Sequence, residues 1–284
     1  MNKLMKVLIG GVLILILLIA AVLIYVVVAI DPNEYKPQIQ ETAAEQGIDL
    51  NISGDLGWQL IPSLAIRIGE TTISSSTQAI PDTRFNSASL SLAWLPLLKK
   101  QIHISAITID GADIRITSAA EAATTAAAPV AASSEQSSDE NKEAGAMNLA
   151  IDAIEITNSR ITLLGEDQAL VLEKLFFEGE KVNLEGKIFP ISLSFDFSHS
   201  SLPEALPIKL TTKLSVNQTS DELVIKDLAL AAAEIELNAD VTVTKMTNGP
   251  SANGSIRIAN TNLKKALRKF GIVLPDMPDK KALS

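Results

Sequence analysis

The sequence predicts a mainly β protein carried behind a single N-terminal transmembrane helix. Three observations lead there. Residues 7–30 contain no charged side chain. From Leu50 onward, apolar residues recur with a period of two, the spacing of a half-buried strand. Beyond the apolar run, only two short stretches are read as helices.

The apolar run comes first. Its 24 residues, at a rise of ~1.5 Å each, make a helix of ~36 Å, enough to cross a hydrocarbon core of ~30 Å with some tilt. Val7, Leu15, Ile24 and Ile30 mark this anchor along its length. Lys3 and Lys6 precede it, while Asp31 and Glu34 follow it. Positive flanks stay cytoplasmic, which places residues 1–6 inside and the rest of the chain outside. The competing reading is a cleavable signal peptide, whose apolar region is typically ~7–15 residues and ends at small residues. Here Val27, Val28 and Ile30 lead directly into Asp31 and Pro32, which favours an uncleaved anchor.

The first short helix is expected between Pro32 and Gly47, with Asp31 as cap, a first-turn proline and a glycine stop. Pro37 lies inside it, so regular helix is expected to begin only there. The period then changes to two. Leu50 and Ile52 alternate with polar neighbours, as do Leu64, Ile66 and Ile68, then Leu90 and Leu92, Ile102 and Ile104, Ile107 and Ile109, and Ile114 and Ile116. Turns are expected at Gly54-Asp55 and Asp110-Gly111. A shift of phase between Ala106 and Ile107 predicts a bulge or a break.

Residues 118–147 are mostly Ala, Ser, Thr, Glu and Gln. Such composition buries too little apolar surface to offset ordering entropy, so a low-complexity linker or loop is expected, with an Ala-rich helix as the alternative. Strands then resume. Ile154 and Ile156 are expected to face Ile161 and Leu163 in a hairpin turning at Asn158-Ser159. Residues 191–197, 208–216 and 235–243 alternate cleanly. Near the end, Leu263, Ala266, Leu267 and Phe270 fall on one face of an amphipathic helix with Asn262 as cap. The division that results is 1–6 cytoplasmic, 7–30 transmembrane, 31–117 first β region with its leading helix, 118–147 linker or loop, and 148–284 second β region.

Composition narrows the chemistry. A net charge of -9 argues against broad phosphate-backbone contact, so nucleic acid is not an expected partner. Cysteine is absent from the sequence, which removes disulfides, thiolate metal sites and cysteine nucleophiles. His103 and His199 are the only histidines, and each lies in or beside an expected strand without a neighbouring cluster of acids. No Gly-x-Ser-x-Gly elbow, dinucleotide fingerprint or phosphate loop occurs. No catalytic residue, cofactor or metal is therefore assigned, and the chain is expected not to be an enzyme. Trp58 and Trp94 can either pack in a core poor in aromatics or sit at a lipid interface.

A dozen or so one-sided strands with two short helices must close into a sandwich or barrel, or leave an apolar trough. Alternation alone does not decide between these.

Four stretches resemble the AsmA family: IDPNEYKPQI directly after the apolar helix, IDLNISGDLGWQLIPSLAIRIGETTIS from Ile48, RFNSASLSLAWLPLLKKQIHISAITIDGADIRI over 84–116, and GSIRIANTNLKKALRKFGIVLPDMPDKKAL over 254–283. The resemblance implies an inner-membrane protein of Gram-negative type with an elongated, curved, antiparallel and groove-like periplasmic sheet. It further implies phospholipid handling, in the manner of bridge-like lipid-transfer proteins, and a link to outer-membrane assembly. The expected partners are phospholipid acyl chains, the inner membrane and outer-membrane assembly proteins, with a non-enzymatic assembly factor as the alternative role. Candidate lipid-facing residues are Leu64, Ile66, Ile68, Leu90, Leu92, Ile102 and Ile104, with lipid entry expected near Tyr35 to Pro62. The family usually continues beyond the position of Ser284. At ~4.8 Å per strand, a dozen strands side by side reach ~60 Å, which is short for crossing an envelope.

Overall fold

A computed structural model describes residues 31–59, 63–75, 80–93, 96, 103–117, 150–165, 169–233, 235–247, 249–259 and 263–270. The anchor residues Val7, Leu15, Ile24 and Ile30, the 118–147 segment, Ile102, Trp94 and Asn262 lie outside the described residues. Among those described, no helix is long and apolar enough to cross a membrane.

The chain opens on a 3-10 turn, Pro32–Tyr35, and then α1, Lys36–Glu45. Asp31 caps the turn by accepting from the Asn33 backbone N–H and side-chain amide, both at 2.9 Å. These bonds hold its carboxyl below the ordinary value of 3.8. The α-helix begins at Lys36 rather than at Pro37, because Pro37 occupies a first-turn position where its missing N–H costs nothing. Gly47, at φ +75°, ends it.

Fifteen strands follow and form one sheet. In chain order they are β1 Ile48–Ile52, β2 Leu56–Gln59, β3 Leu64–Ile68, β4 Thr71–Ser75, β5 Asp82–Phe85, β6 Ser87–Leu92, β7 Ile104–Asp110 and β8 Asp113–Thr117. Then come β9 Ala150–Leu164, β10 Ala169–Asn183, β11 Phe189–His199, β12 Leu206–Asn217, β13 Glu222–Ala232, β14 Ile235–Thr244 and β15 Ser251–Ile258. A short helix, α2 Leu263–Lys269, closes the described chain. The outcome is a long, open, curved sheet with few helices rather than a sandwich.

The first eight strands are four long strands, each broken once. β1 pairs with β4 and β2 with β3; β3 pairs with β6 and β4 with β5; β5 pairs with β8 and β6 with β7. The chain therefore continues in one direction through Gly54-Asp55 and through Asp110-Gly111, where reversing turns were expected. The breaks lie side by side. Ser53 and Gly54 both donate to the Glu70 carbonyl, Gly69 donates to Asp55, Asn86 to Asp110, Gly111 to Thr157 and Arg160 to Ala112. This line of bonds forms a crease that carries the ladder across the discontinuity.

Glycine is required at two points of the crease. A Cβ on Gly54 would lie 2.1 Å from the Glu70 nitrogen, and Gly111 sits at φ +67° against the Asn86 side chain. The crease then enters β9 and β10. Asn158 has φ 50° and Lys174 φ 52°, and the register of β9 and β10 shifts at both points. Asn158-Ser159 is thus a bulge inside one fifteen-residue strand, and the expected hairpin is absent. The positive φ that suggested a turn is satisfied without reversal, because β10 bulges alongside.

Two further corrections concern the ladder. β7 and β8 both run parallel to β9, so the sheet is not wholly antiparallel. The strands on either side of residues 118–149 accordingly belong to one sheet. The phase change near Ala106 is a bulge one residue earlier: Ser91 pairs with Ala106 and Leu92 with Ile104, leaving Ser105 as the extra residue. Its hydroxyl is buried without a hydrogen-bond partner.

Because the first four strands are broken end to end, fifteen strands occupy eleven positions across the sheet. Ten spacings of ~4.8 Å make it ~48 Å wide, below the ~60 Å expected from a side-by-side dozen.

Candidate functional site

Alternate side chains along a strand point to opposite faces, and directly paired residues share a face. Following the pairs outward from β2 gives Leu56–Ile68–Ala88–Ile109–Ile156–Phe177–Leu193–Leu210–Leu230–Leu237–Ile258. Every member is apolar, and the row crosses all eleven positions of the sheet. The adjoining row, one residue along each strand, points the other way: Gly57–Arg67–Ser89–Thr108–Glu155–Glu178–Ser192–Thr211–Ala229–Asn238–Arg257. It is polar or small throughout. The sheet therefore has one aliphatic face and one hydrated face over its whole width.

No second layer closes the aliphatic face among the described residues, since all the strands belong to one sheet. Ile66 is 40% exposed, Leu90 42%, Ile256 66% and Ile258 65%. Side chains in a sandwich core would lie far below these values.

The candidate lipid-facing residues gather on this face. Leu64 pairs with Leu92, Ile66 with Leu90, and Ile68 with Ala88. Ile104, beside the bulge, pairs with Leu92 and Ile151. Trp58 pairs with Ile66 and joins them. The reading from sequence missed the other half of the site, Phe177 to Ile258. Leu193, Leu210 and Leu237 stood in recognised strands. Phe177 and Leu230 follow bulges at Lys174 and Asp227, which reverse the phase of the alternation.

The hydrated face is organised by ion pairs. Arg84 meets Glu70 and Arg160 meets Glu173. Lys174 reaches Asp196 at 2.8 Å, and Lys213 reaches Asp227 at 2.9 Å. Hydrogen bonding to these carboxylates raises both lysines, and the Lys213 contact lowers Asp227. At the crease, Asp110 Oδ1 accepts from Thr157 Oγ1 and Asn158 Nδ2, each at 2.7 Å, which pulls its carboxyl below 3.8.

The histidines make local contacts: His103 Nε2 with Asp152 Oδ1 at 3.0 Å, and His199 Nδ1 with Ser201 Oγ at 2.7 Å. Among the described residues no group of three or more acids and histidines is placed to hold a metal. Two open recesses, of about 360 and 430 Å³, are lined by Arg84, Asp113 and Arg115 and by His103, Asp152 and Asn183, respectively. Neither is lined by a residue of the apolar row.

The sheet also has a direction. Asn33 donates to the Leu56 carbonyl at 3.1 Å and accepts from the Leu56 N–H at 2.9 Å, standing in for a neighbouring strand. Gln40 Nε2 donates to the Leu50 carbonyl at 3.1 Å. The described chain thus starts at Asp31 against the β1–β2 edge, with β15 at the opposite edge.

A family model described as the AsmA family matches residues 1–264. The chain belongs to the AsmA family. Three of the four AsmA-like stretches, and the first part of the fourth, fall within that match. Protein AsmA of Escherichia coli (strain K12) is 27% identical over 160 residues, covering 56% of this chain and 26% of the relative. This AsmA-family chain thus spans about a quarter of the length of the curated relative it matches. No solved structure matches it.

Proposed function

We propose that this chain is a single-pass inner-membrane protein, anchored by residues 7–30 with residues 1–6 in the cytoplasm. Its periplasmic sheet holds phospholipid acyl chains along the aliphatic face and contributes, without catalysis, to lipid transport toward the outer membrane and to outer-membrane assembly. The observation that carries the reading is the unbroken apolar row from Leu56 to Ile258, backed by a polar row on the other face. An acyl chain lying there gains ~0.8 kcal/mol for each CH₂ taken fully out of water. Because Asp31 lies against the β1–β2 edge, the anchor puts that edge next to the inner leaflet, and lipid enters near Tyr35 to Pro62. Membership of the AsmA family supports the same membrane-associated role.

Native mass spectrometry of the detergent-purified full chain, read for bound phospholipid, tests this. Wild type is expected to retain phospholipid, and Ile66→Glu with Leu90→Glu to lose most of it while keeping a β-type circular dichroism spectrum. Lipid-free wild type, or a double variant loaded like wild type, would sink the proposal. Among the described residues no strand pairs with the outer edge of β15, which favours a second reading, an assembly factor for outer-membrane protein insertion acting through protein contacts. On that reading the charged double variant retains function in cells.

A further inference from the structure

Along β11 the residues on the aliphatic face are Phe189, Ile191, Leu193, Phe195 and Phe197, because its ladder with β12 runs without a register shift. On β10, Phe177 pairs with Leu193 and Leu172 with Phe197. Four of the seven phenylalanines of the chain thus share one face of two neighbouring strands. Phe189 is 3% exposed, and the other three are half-buried. Gly179, paired with Ile191, adds no side chain there, and the Phe177 ring carbons Cζ and Cε1 lie 3.6 and 3.7 Å from where its Cβ would stand. From Phe189 to Phe197 the column is ~26 Å long at ~3.3 Å per residue. One acyl chain fills half of a ~30 Å hydrocarbon core, so the column takes a whole chain lengthwise.

The column ends on a polar group. His199 continues the same alternation two residues beyond Phe197 and pairs with Leu170. The Ser201 N–H donates to its Nδ1 at 3.2 Å, so in the neutral ring the proton sits on Nε2, which is the donor. Among the described residues Nε2 has no hydrogen-bond partner. In the turn that follows, Glu204 meets Lys269 of α2, whose Lys265 and Arg268 are exposed. At the other end of the column, Lys187 is matched by Glu185.

We propose that β10 and β11 form a seat for one glycerophospholipid. Its phosphate accepts from His199 Nε2 in the positive field of α2, and its acyl chain runs down the phenylalanine column toward Phe189. The inference rests on the lipid-handling reading and adds where on the face a lipid is held and which way it lies. The phenylalanines supply large, stiff contact area to the chain, and His199 fixes the headgroup end; all are positioning residues. Ile66 and Leu90 precede this seat along the sheet from β2, and Leu210 of β12 lies beyond it.

The test uses the detergent-purified full chain labelled with para-fluorophenylalanine. The probe is phosphatidylglycerol carrying a nitroxide near the carbonyl end or near the methyl end of one acyl chain. In fluorine NMR the carbonyl-end label is expected to erase the Phe197 signal and the methyl-end label the Phe189 signal. Phe176, next to Phe177 in sequence but paired with Ser194 on the hydrated face, keeps its signal with both labels, as does Phe85 on β5. Equal loss at Phe85 would mean lipid spread over the whole face, and the reverse order of labels a headgroup at the Lys187 end. Either overturns the seat and leaves lipid handling standing, whereas loss at none of the phenylalanines sinks both. His199→Ala is expected to shed phosphatidylglycerol roughly tenfold faster than wild type, for want of one bond to an ionised acceptor, and diacylglycerol at the wild-type rate. Unchanged loss of phosphatidylglycerol, or equally faster loss of diacylglycerol, removes His199 from the seat and overturns the proposal. So does inorganic phosphate that moves the His199 ring signal as far as the lipid does, the mark of a free-phosphate site. The labelled wild type carries the result if His199→Ala fails to fold.

Discussion

Gly54 and Gly57 stand three residues apart and show how local the demands of the crease are. A Cβ at Gly54 would fall 2.1 Å from the Glu70 nitrogen and 2.5 Å from the Gly69 carbonyl carbon, whereas one at Gly57 meets nothing within 4 Å. Gly54→Ala is expected to destabilise the sheet by about 1–3 kcal/mol, since two backbones would have to separate. Gly57→Ala should stay within ~0.5 kcal/mol of wild type in the same urea titration. Asp110 makes the crease sensitive to acid. Its carboxyl is held below 3.8 in the fold by Thr157 and Asn158, so its contribution is present above that value. It is lost as pH falls through the lowered folded value. Acid titration of stability should therefore show a shallower loss for Asp110→Asn than for wild type below pH 3.8; identical curves would count against this role.

Elements are governed by how edges and bulges are satisfied. The 3-10 turn and α1 contribute little apolar burial, with no fully buried residue in either. Their structural role is to seal the first edge through two hydrogen bonds between Asn33 and Leu56, one in each direction, and one from Gln40 to Leu50. Asn33→Ala is expected to cost about 1–3 kcal/mol locally, because it leaves both the N–H and the C=O of Leu56 without partners. Faster exchange of the Leu56 amide, with little change at β12, is the signature to measure. Bulges explain which strands were hard to read. β10 carries Leu170 and Leu172 on the aliphatic face, then Leu175 and Phe177 after Lys174, and the one-residue slip breaks the period of two. β13 does the same around Asp227. Clean alternation in β11, β12 and β14 made those strands legible because no such slip interrupts most of their length.

At the scale of the whole molecule, the proposed function makes the row from Leu56 to Ile258 a track for acyl chains, and position along it carries consequences. A charge at Leu210, inside the row and away from both of its ends, should obstruct passage more than residence. Leu210→Glu is expected to lower phospholipid transfer between donor and acceptor vesicles roughly tenfold or more, as the cost of bringing a charge against acyl chains implies, while bound lipid falls far less. Thr211→Glu, on the hydrated face, serves as the matched control and should transfer like wild type. Equal losses in both variants would argue against a one-sided track.

Much of this was written in the local pattern. The β class follows from period-two alternation in residues such as Ile191 to Phe197, and α2 from the spacing of Leu263, Ala266, Leu267 and Phe270, because both periods arise from backbone geometry alone. Which strands are neighbours does not follow from such spacing. Only the tertiary structure decided that Gly54-Asp55, Asp110-Gly111 and Asn158-Ser159 interrupt strands without reversing them, since the same φ and the same residues serve a turn or a bulge until a partner strand is present. It also decided that, among the described residues, the aliphatic side chains meet no second sheet. Alternation records which side of a strand avoids water, and the pairing of all fifteen strands into one sheet determines whether that side becomes a core or an open face.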